Sequence, residues 1–216
     1  MKRRNYNNIF QAIIYKELAL LFRILLRSLY KLEVKGLENI PKKGPVIIAP
    51  NHESSLDILA VASVVPRLVK ALGKIERFDY PIWGRIAKFL GGIPVTREHP
   101  EKSAILKVFK ALDEGNVLVI FPEGTRKFSN KTKGPRRGVG YFASRRNVPV
   151  IPTAIIGAYK IWPPEKKVPR LKGKLKVIFG NPVYYEFEKT KENEEKFTSL
   201  IMEHIKNLRE YDEKNI

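Results

Sequence analysis

The sequence predicts an α/β fold: a largely parallel or mixed central sheet flanked by helices and preceded by an N-terminal amphipathic helical segment. Two patterns carry this. Runs that are apolar at every position, such as Val46-Ile47-Ile48-Ala49 and Val117 to Phe121, are bounded by Gly, Pro or Asn, as strands covered on both faces are. Between them lie segments whose apolar residues recur every three or four positions, the period of a helix packed on one side. Length agrees, since 216 residues suffice for one domain with a sizeable core but leave little room for a second.

Residues 7–32 read as helical. Ile9, Ile13, Leu20, Ile24 and Leu25 keep the helical spacing, while Lys16, Arg23, Arg27 and Lys31 interrupt the apolar surface. The apolar share exceeds what a one-sided surface helix needs. It fits either a helix packed on the core or one or two helices lying in a membrane interface, with Lys and Arg at headgroup level. In the second case Phe10, Ile13, Ile14, Leu21, Phe22 and Leu25 are the side chains that insert. No stretch approaches the roughly 18 uninterrupted apolar residues of a membrane-spanning helix. Lys16, Glu17 and Arg23 stand where the apolar stretch of a cleavable signal would be. The expected division is an anchor over 1–32 and a single α/β domain over 33–216.

Within that domain, Val46 to Ala49 is a strand closed by Pro50-Asn51. Ser55 to Val65 is a helix with Ser54 or Ser55 as N-cap and Pro66 as its stop. A strand is expected near Leu68 to Leu72, a helix over Pro81 to Leu90 stopped by Gly91-Gly92, and a short strand at Ile93 to Val95. Pro100 opens a helix whose inner face is Ala104, Ile105, Val108, Phe109 and Leu112, with Gly115 as its cap. Val117 to Phe121 is a strand, Arg137 to Arg146 a helix, Val150 to Ile156 and Leu175 to Phe179 strands, and Glu192 to Tyr211 a C-terminal helix. The basic, glycine-containing loop Arg126 to Arg137 is long enough to be mobile or to grip an anion.

A formal net charge of +19 implies a polyanionic partner: nucleic acid, an anionic membrane surface or a phosphorylated substrate. The charge is segmental. Residues 1–35 carry eight Lys/Arg against two acids, residues 122–146 eight against one, and residues 160–176 seven against one. Nucleic-acid binding is disfavoured, because the aromatics do not interleave with the basic runs as a stacking platform would, and no recognised binding motif occurs. There are no cysteines, which excludes disulfides, thiolate metal sites and a cysteine nucleophile. No His/Asp/Glu spacing suggests a metal site.

Of the three histidines, His204 sits among charges and His99 precedes a proline, whereas His52 directly follows an apolar strand in Asn51-His52-Glu53-Ser54-Ser55-Leu56-Asp57. Ligand sites gather at strand ends in α/β folds. Asp57 falls in the first turn of the next helix, and a strand-to-helix turn can bring it to the imidazole, fixing the tautomer while the other ring nitrogen faces substrate. Taken alone, the motif reads first as an Asn-His turn with a capping serine. No Gly-x-Ser-x-Gly elbow or Walker A loop is present. Gly138-Val139-Gly140-Tyr141-Phe142-Ala143 matches a dinucleotide fingerprint by letter, but it follows a basic loop rather than a strand. Phe121-Pro122-Glu123-Gly124-Thr125-Arg126 and Gly92-Ile93-Pro94-Val95-Thr96-Arg97 each set an arginine just past a strand, where it can grip a phosphate through two parallel hydrogen bonds.

His52-x4-Asp57, Gly92 to Arg97, Phe121 to Arg126 and Val148-Pro149-Val150-Ile151-Pro152 occur in that order. Together they resemble the four-block pattern of the glycerolipid acyltransferase family, specifically the bacterial 1-acylglycerol-3-phosphate acyltransferases, over roughly residues 33–185. The resemblance implies acyl transfer from a thioester to the sn-2 hydroxyl of lysophosphatidic acid, with His52 as general base and Asp57 as its orienting partner. It implies acceptor phosphate binding by Arg97 and Arg126, a site shaped by Glu123, Gly124 and Thr125, and a donor region around Pro149 and Pro152. The donor would be acyl-CoA or acyl carrier protein, no further cofactor is implied, and no covalent acyl-enzyme is needed. Such an enzyme would sit peripherally or monotopically on the cytoplasmic face of an anionic membrane, because its two-chain product cannot leave into water.

Overall fold

In the computed structural model, which describes residues 6–81, 83–96, 101–124 and 136–214, the all-apolar runs form the middle of a seven-stranded sheet. The strands are β1 (Glu33–Lys35), β2 (Val46–Pro50), β3 (Val69–Lys74), β4 (Gly92–Val95), β5 (Val117–Val119), β6 (Val150–Ile156) and β7 (Lys176–Phe179). Their spatial order is β1-β7-β6-β2-β5-β3-β4. Every neighbouring pair is parallel except β6 with β7, so the sheet is mixed, with β7 and β1 running against the rest. The helices are α1 (Tyr6–Tyr30), α2 (Asp57–Val64), α3 (Trp83–Phe89), α4 (Lys102–Asp113), α5 (Gly138–Arg146), α6 (Ala158–Ile161) and α7 (Lys191–Lys214).

Side-chain alternation divides the core into two layers. Val46, Ile48, Val119 and Ile151 face one side, where α1 and α2 cover them with Tyr15, Leu26, Ala60 and Val61. Ile47, Ala49, Leu118 and Val150 face the other, under α4, α5 and α7 through Leu112, Phe142, Phe197 and Ile201. Cover on both faces is why these strands read as unbroken apolar runs. α5 and α7 approach closely at Gly140, where a Cβ would lie 2.1 Å from the Glu194 carbonyl oxygen. Gly140 of the apparent dinucleotide fingerprint therefore belongs to helix packing, whereas a Cβ at Gly138 would meet nothing within 4 Å. Buried Glu194 holds the same junction through ion pairs to Arg137 at 3.3 Å and Arg145 at 3.4 Å.

The C-terminal helix is pinned to the sheet edge by buried Asp212, which accepts from Lys176 Nζ at 2.9 Å and Lys35 Nζ at 3.2 Å. Burial pushes the Asp212 carboxyl up, but hydrogen bonds from Lys176 and then Lys35 outweigh it and hold the group below the usual carboxylate range. The hydrogen bond to Asp212 likewise raises Lys176.

α1 has two faces. Tyr15, Leu26 and Tyr30 are buried in the core, whereas Phe10, Ile13, Leu20, Leu21, Ile24 and Leu25 are exposed. Gln11 further ties it to α3 by donating to the Phe89 carbonyl. Among the described residues no helix is long and apolar enough to cross a membrane. Several details differ from the sequence expectation, among them β5, which ends at Val119 rather than Phe121, and α3, which spans Trp83–Phe89 rather than residues 81–90. α1 stops at Tyr30, where Lys31 turns to φ 48°, rather than at residue 32. β1 and α6 appear where three- and four-residue segments are too short to show a period. α2 starts at Asp57, not Ser55, and neither serine is its N-cap. The loop expected over Arg126 to Arg137 lies mostly outside the described residues.

Candidate active site

β2 and β5 are parallel neighbours, so the segments leaving their carboxyl ends lie side by side. His52 follows β2 and Phe121 follows β5, and their rings stack with centroids 3.9 Å apart and planes inclined by 23°. The turn after β2 is built around one carboxylate oxygen. Asp57 Oδ2 accepts hydrogen bonds from the backbone N–H groups of Glu53 and Ser54, each at 2.8 Å, and lies 2.8 Å from His52 Nδ1. Asp57 is fully buried, and its Oδ1 has no hydrogen-bond partner among the described residues. An Nδ1–H donated to this carboxylate leaves the Nε2 lone pair as the basic site of the ring.

Three further residues, Asn51, Ser54 and Glu53, fix the turn. Asn51, immediately after β2, continues the ladder with its side chain: Nδ2 donates to the Ile155 carbonyl at 3.0 Å, and Oδ1 accepts the Ile155 N–H at 2.7 Å. Ser54 Oγ accepts from the Leu56 N–H at 3.0 Å and donates to the Trp162 carbonyl at 2.6 Å, a local turn in place of the expected helix cap. Glu53 is gripped from α7 by Arg209, whose Nη1 lies 2.6 Å from Oε1. Sequence reasoning missed Asn51 as a clamp and Arg209 altogether, and Arg209 lies too far along the chain for any local motif to reveal it.

The segment after β5 joins the same site. Glu123 is buried, and its Oε1 accepts the His52 N–H at 3.2 Å. Gly124 turns with φ 66° and closes on the Phe121 carbonyl at 2.9 Å. A Cβ there would also fall 2.4 Å from Arg136 Cδ, so the glycine admits a basic side chain across the turn. Arg136 is held in place by its N–H, which donates to the Pro122 carbonyl at 2.9 Å. His52, Asp57, Glu123 and Gly124 are thus brought together from two strand ends. Arg97, Thr125 and Arg126 lie outside the described residues.

His52 and Phe121 border a cavity of about 700 Å³. Its wall is mostly apolar and comes from many elements, including Leu18 and Phe22 of α1, Leu59 of α2, Leu72 of β3 and Val108 of α4; Arg136 and Arg137 add cationic groups. Phe22, expected as an inserting side chain, lies on this wall, and Ile14 is half-buried. The remaining expected residues Phe10, Ile13, Leu21 and Leu25 face outward, together with Leu20, Ile24 and Leu29. Tyr15 also lines the cavity; its hydroxyl donates to the Ala62 carbonyl at 3.2 Å, and burial raises its pKa to about 12. Pro149 and Pro152 are not part of the wall. The Pro149 carbonyl accepts the Ile47 N–H at 2.9 Å and Pro152 pairs with Ala49, so this block sets the register of β6 beside β2.

A family model described as Acyltransferase matches residues 31–156. The 1-acyl-sn-glycerol-3-phosphate acyltransferase of Bacillus subtilis (strain 168) is 29% identical over 198 residues, which is 90% of this chain and 96% of that protein. The chloroplastic 1-acyl-sn-glycerol-3-phosphate acyltransferase BAT2 of Brassica napus is 29% identical over 158 residues, covering 72% of this chain and 46% of its own length. The chain thus spans less than half of that chloroplast relative, and 44% of the Arabidopsis thaliana one. The crystal structure of the 1-acyl-sn-glycerophosphate (LPA) acyltransferase PlsC from Thermotoga maritima superposes with a TM-score of 0.74 at 25% identity, covering 91% of this chain and 80% of that one.

Proposed function

The chain belongs to the acyltransferase family, and on that premise we propose that it transfers a fatty acyl group from acyl-CoA or acyl carrier protein to the sn-2 hydroxyl of lysophosphatidic acid, giving phosphatidic acid for phospholipid biosynthesis. The observation that carries this is the His52–Asp57 pair, 2.8 Å apart, at the border of a large apolar cavity. A cavity of about 700 Å³ lies inside the range of roughly 300–1,000 Å³ typical of small-molecule sites. An acyl chain is the substrate part that an apolar wall accommodates. The names of the relatives supply the acceptor.

His52 Nε2 takes the proton of the lipid hydroxyl as its oxygen attacks the thioester carbonyl carbon. The carbonyl π pair moves to oxygen and returns as the C–S bond breaks, and the proton passes from the imidazolium to the departing thiolate. Asp57 orients the ring and stabilises its transient positive charge. A positioned histidine of this kind contributes about 10²–10⁴-fold. The leaving thiol, with an ordinary pKa near 8.5, departs far more readily than an alcohol. No covalent acyl-enzyme, metal or further cofactor enters these steps. Arg97 and Arg126 are read as the acceptor's phosphate ligands, with Thr125, Glu123 and Gly124 shaping their loop. Pro149 and Pro152 would serve donor binding through the strand they set in register. The outward apolar face of α1 is read as the contact with the cytoplasmic face of an anionic membrane.

The test is radiolabelled acyl transfer in detergent micelles, with each donor and lysophosphatidic acid, running wild type beside His52→Ala. Phosphatidic acid formed by wild type and abolished in the folded variant is the expected result. Substantial activity in His52→Ala would remove the histidine from its role. No product from wild type with either donor would refute the acceptor.

A further inference from the structure

The loop between α6 and β7, residues 162–175, contributes nothing to the cavity wall, yet it is firmly built. Pro163, Pro164 and Pro169 restrict its backbone. Trp162 Nε1 donates to the Lys166 carbonyl at 3.0 Å, and the Arg170 N–H donates to the Ile161 carbonyl at 2.9 Å. The Tyr30 hydroxyl at the end of α1 donates to the Arg170 carbonyl at 2.9 Å, and the Leu175 N–H donates to the Tyr30 carbonyl at 2.9 Å. At its other end the Trp162 carbonyl accepts Ser54 Oγ from the turn that carries His52.

What this fixed loop presents is unusual. Val168 and Leu171 are 74% and 77% exposed, more than Phe10 of α1 at 63%. A single exposed valine or leucine calls for no explanation. Here two sit three residues apart on a held backbone, among exposed Lys166, Lys167, Arg170, Lys172 and Lys174, with Glu165 the one acid of the loop. Apolar tips ringed by cations are complementary to an anionic lipid surface, where the tips enter the acyl boundary and the cations meet phosphates. An acidic carrier protein would be served by the charges without the two apolar tips.

We propose that this loop is a second membrane-contact element, inserting Val168 and Leu171 into an anionic leaflet beside α1. The inference draws on the reading of α1 as the membrane-facing helix, because Tyr30 joins the two and exposed Leu25 and Leu29 lie on the last turns of that helix. Two contacts joined through Tyr30 and Ser54 would fix how the His52 turn sits above the lipid, whereas a single line of contact along α1 would let the whole molecule tilt about that line.

The experiment is co-sedimentation of the full chain with phosphatidylcholine vesicles, with and without phosphatidylglycerol. Four proteins are compared: wild type, Val168→Ser with Leu171→Ser, Lys166→Gln with Lys167→Gln and Lys172→Gln, and Leu21→Asn with Ile24→Asn on α1. Removing the two tips is expected to weaken partition about tenfold or more. Each lost cation is expected to weaken it about fivefold, and only on vesicles containing phosphatidylglycerol. Melting temperature should not move in the loop variants, because the substituted side chains are solvent-exposed. Loop variants that bind as wild type while the α1 variant is released would overturn the loop inference and leave α1 as the contact. The converse, loop variants released and the α1 variant bound, would support the loop and refute the reading of α1. Loop variants that keep vesicle binding but lose retention on immobilised acyl carrier protein would overturn the proposal in favour of donor docking.

Discussion

Asp57→Asn isolates what the buried carboxylate charge does for His52. The amide keeps an oxygen where Oδ2 accepts from the Glu53 N–H, the Ser54 N–H and His52 Nδ1. Its NH₂ then takes the place of Oδ1, which already has no partner among the described residues. One unpartnered buried atom replaces another, so the added penalty should stay within about 1–3 kcal/mol and the fold should survive. The charge is lost. A carboxylate and an imidazolium whose charge centres lie about 4 Å apart attract by about 4 kcal/mol at an effective dielectric near 20, and that attraction exists only once the ring has taken a proton. Losing it should lower kcat by about 10³-fold, at 1.36 kcal/mol per decade. KM for lysophosphatidic acid should change little, because the interaction grows only in the transition state. The assay is steady-state acyl transfer with matched circular dichroism and thermal melts. Activity within tenfold of wild type, from folded protein, would refute the argument that this charge drives His52. Asp57→Ala is the less informative variant, since it also strips the acceptor from two backbone N–H groups.

Gly140→Ala should destabilise the protein by about 1–3 kcal/mol or more, because the new Cβ meets the Glu194 carbonyl at 2.1 Å and α5 must part from α7. An unchanged denaturation midpoint would contradict that packing. Asp212→Asn tests the clamp on the C-terminal helix and should lose about 1.5–3 kcal/mol at neutral pH, measured by urea unfolding. Because the folded Asp212 carboxyl lies below its ordinary value, its stabilisation is present above an unfolded pKa near 3.9 and disappears as pH falls through the lower folded value. The stability gap between wild type and variant should therefore close at acid pH. A gap that persists well below that window would mean that Asp212 acts through packing alone. Lys176, whose folded value is raised, adds an alkaline limb: its share is present below about 10.4 and is lost as pH rises through the folded value.

Local patterning along the chain carried the class of fold and the meeting of His52 with Asp57. The helical period and the unbroken apolar run are both local patterns, so β2 and β5, covered on both faces, were legible as apolar runs, and β6 as one interrupted by Pro152 and Thr153. Histidine and aspartate five residues apart across a strand-to-helix turn are a local geometry too, and the structure brings them to 2.8 Å. The remaining features depend on contacts between residues distant in the chain. Strand order, the reversed pair at the edge and β1 follow from pairing partners that a three-residue strand cannot announce. The cavity wall draws on helices and strands from Tyr15 to Phe142, and no spacing rule registers a space enclosed by many elements. α1 makes the same point most sharply. Its sequence left two readings open, burial in the core or contact with a membrane; the structure buries one face of the helix and leaves the other exposed. Tyr15, Leu26 and Tyr30 are buried, Phe22 lines the cavity, and Phe10, Leu21 and Ile24 are left uncovered. Hydropathy states that a side chain seeks to leave water; which apolar surface receives it is settled only when the rest of the chain has taken its place.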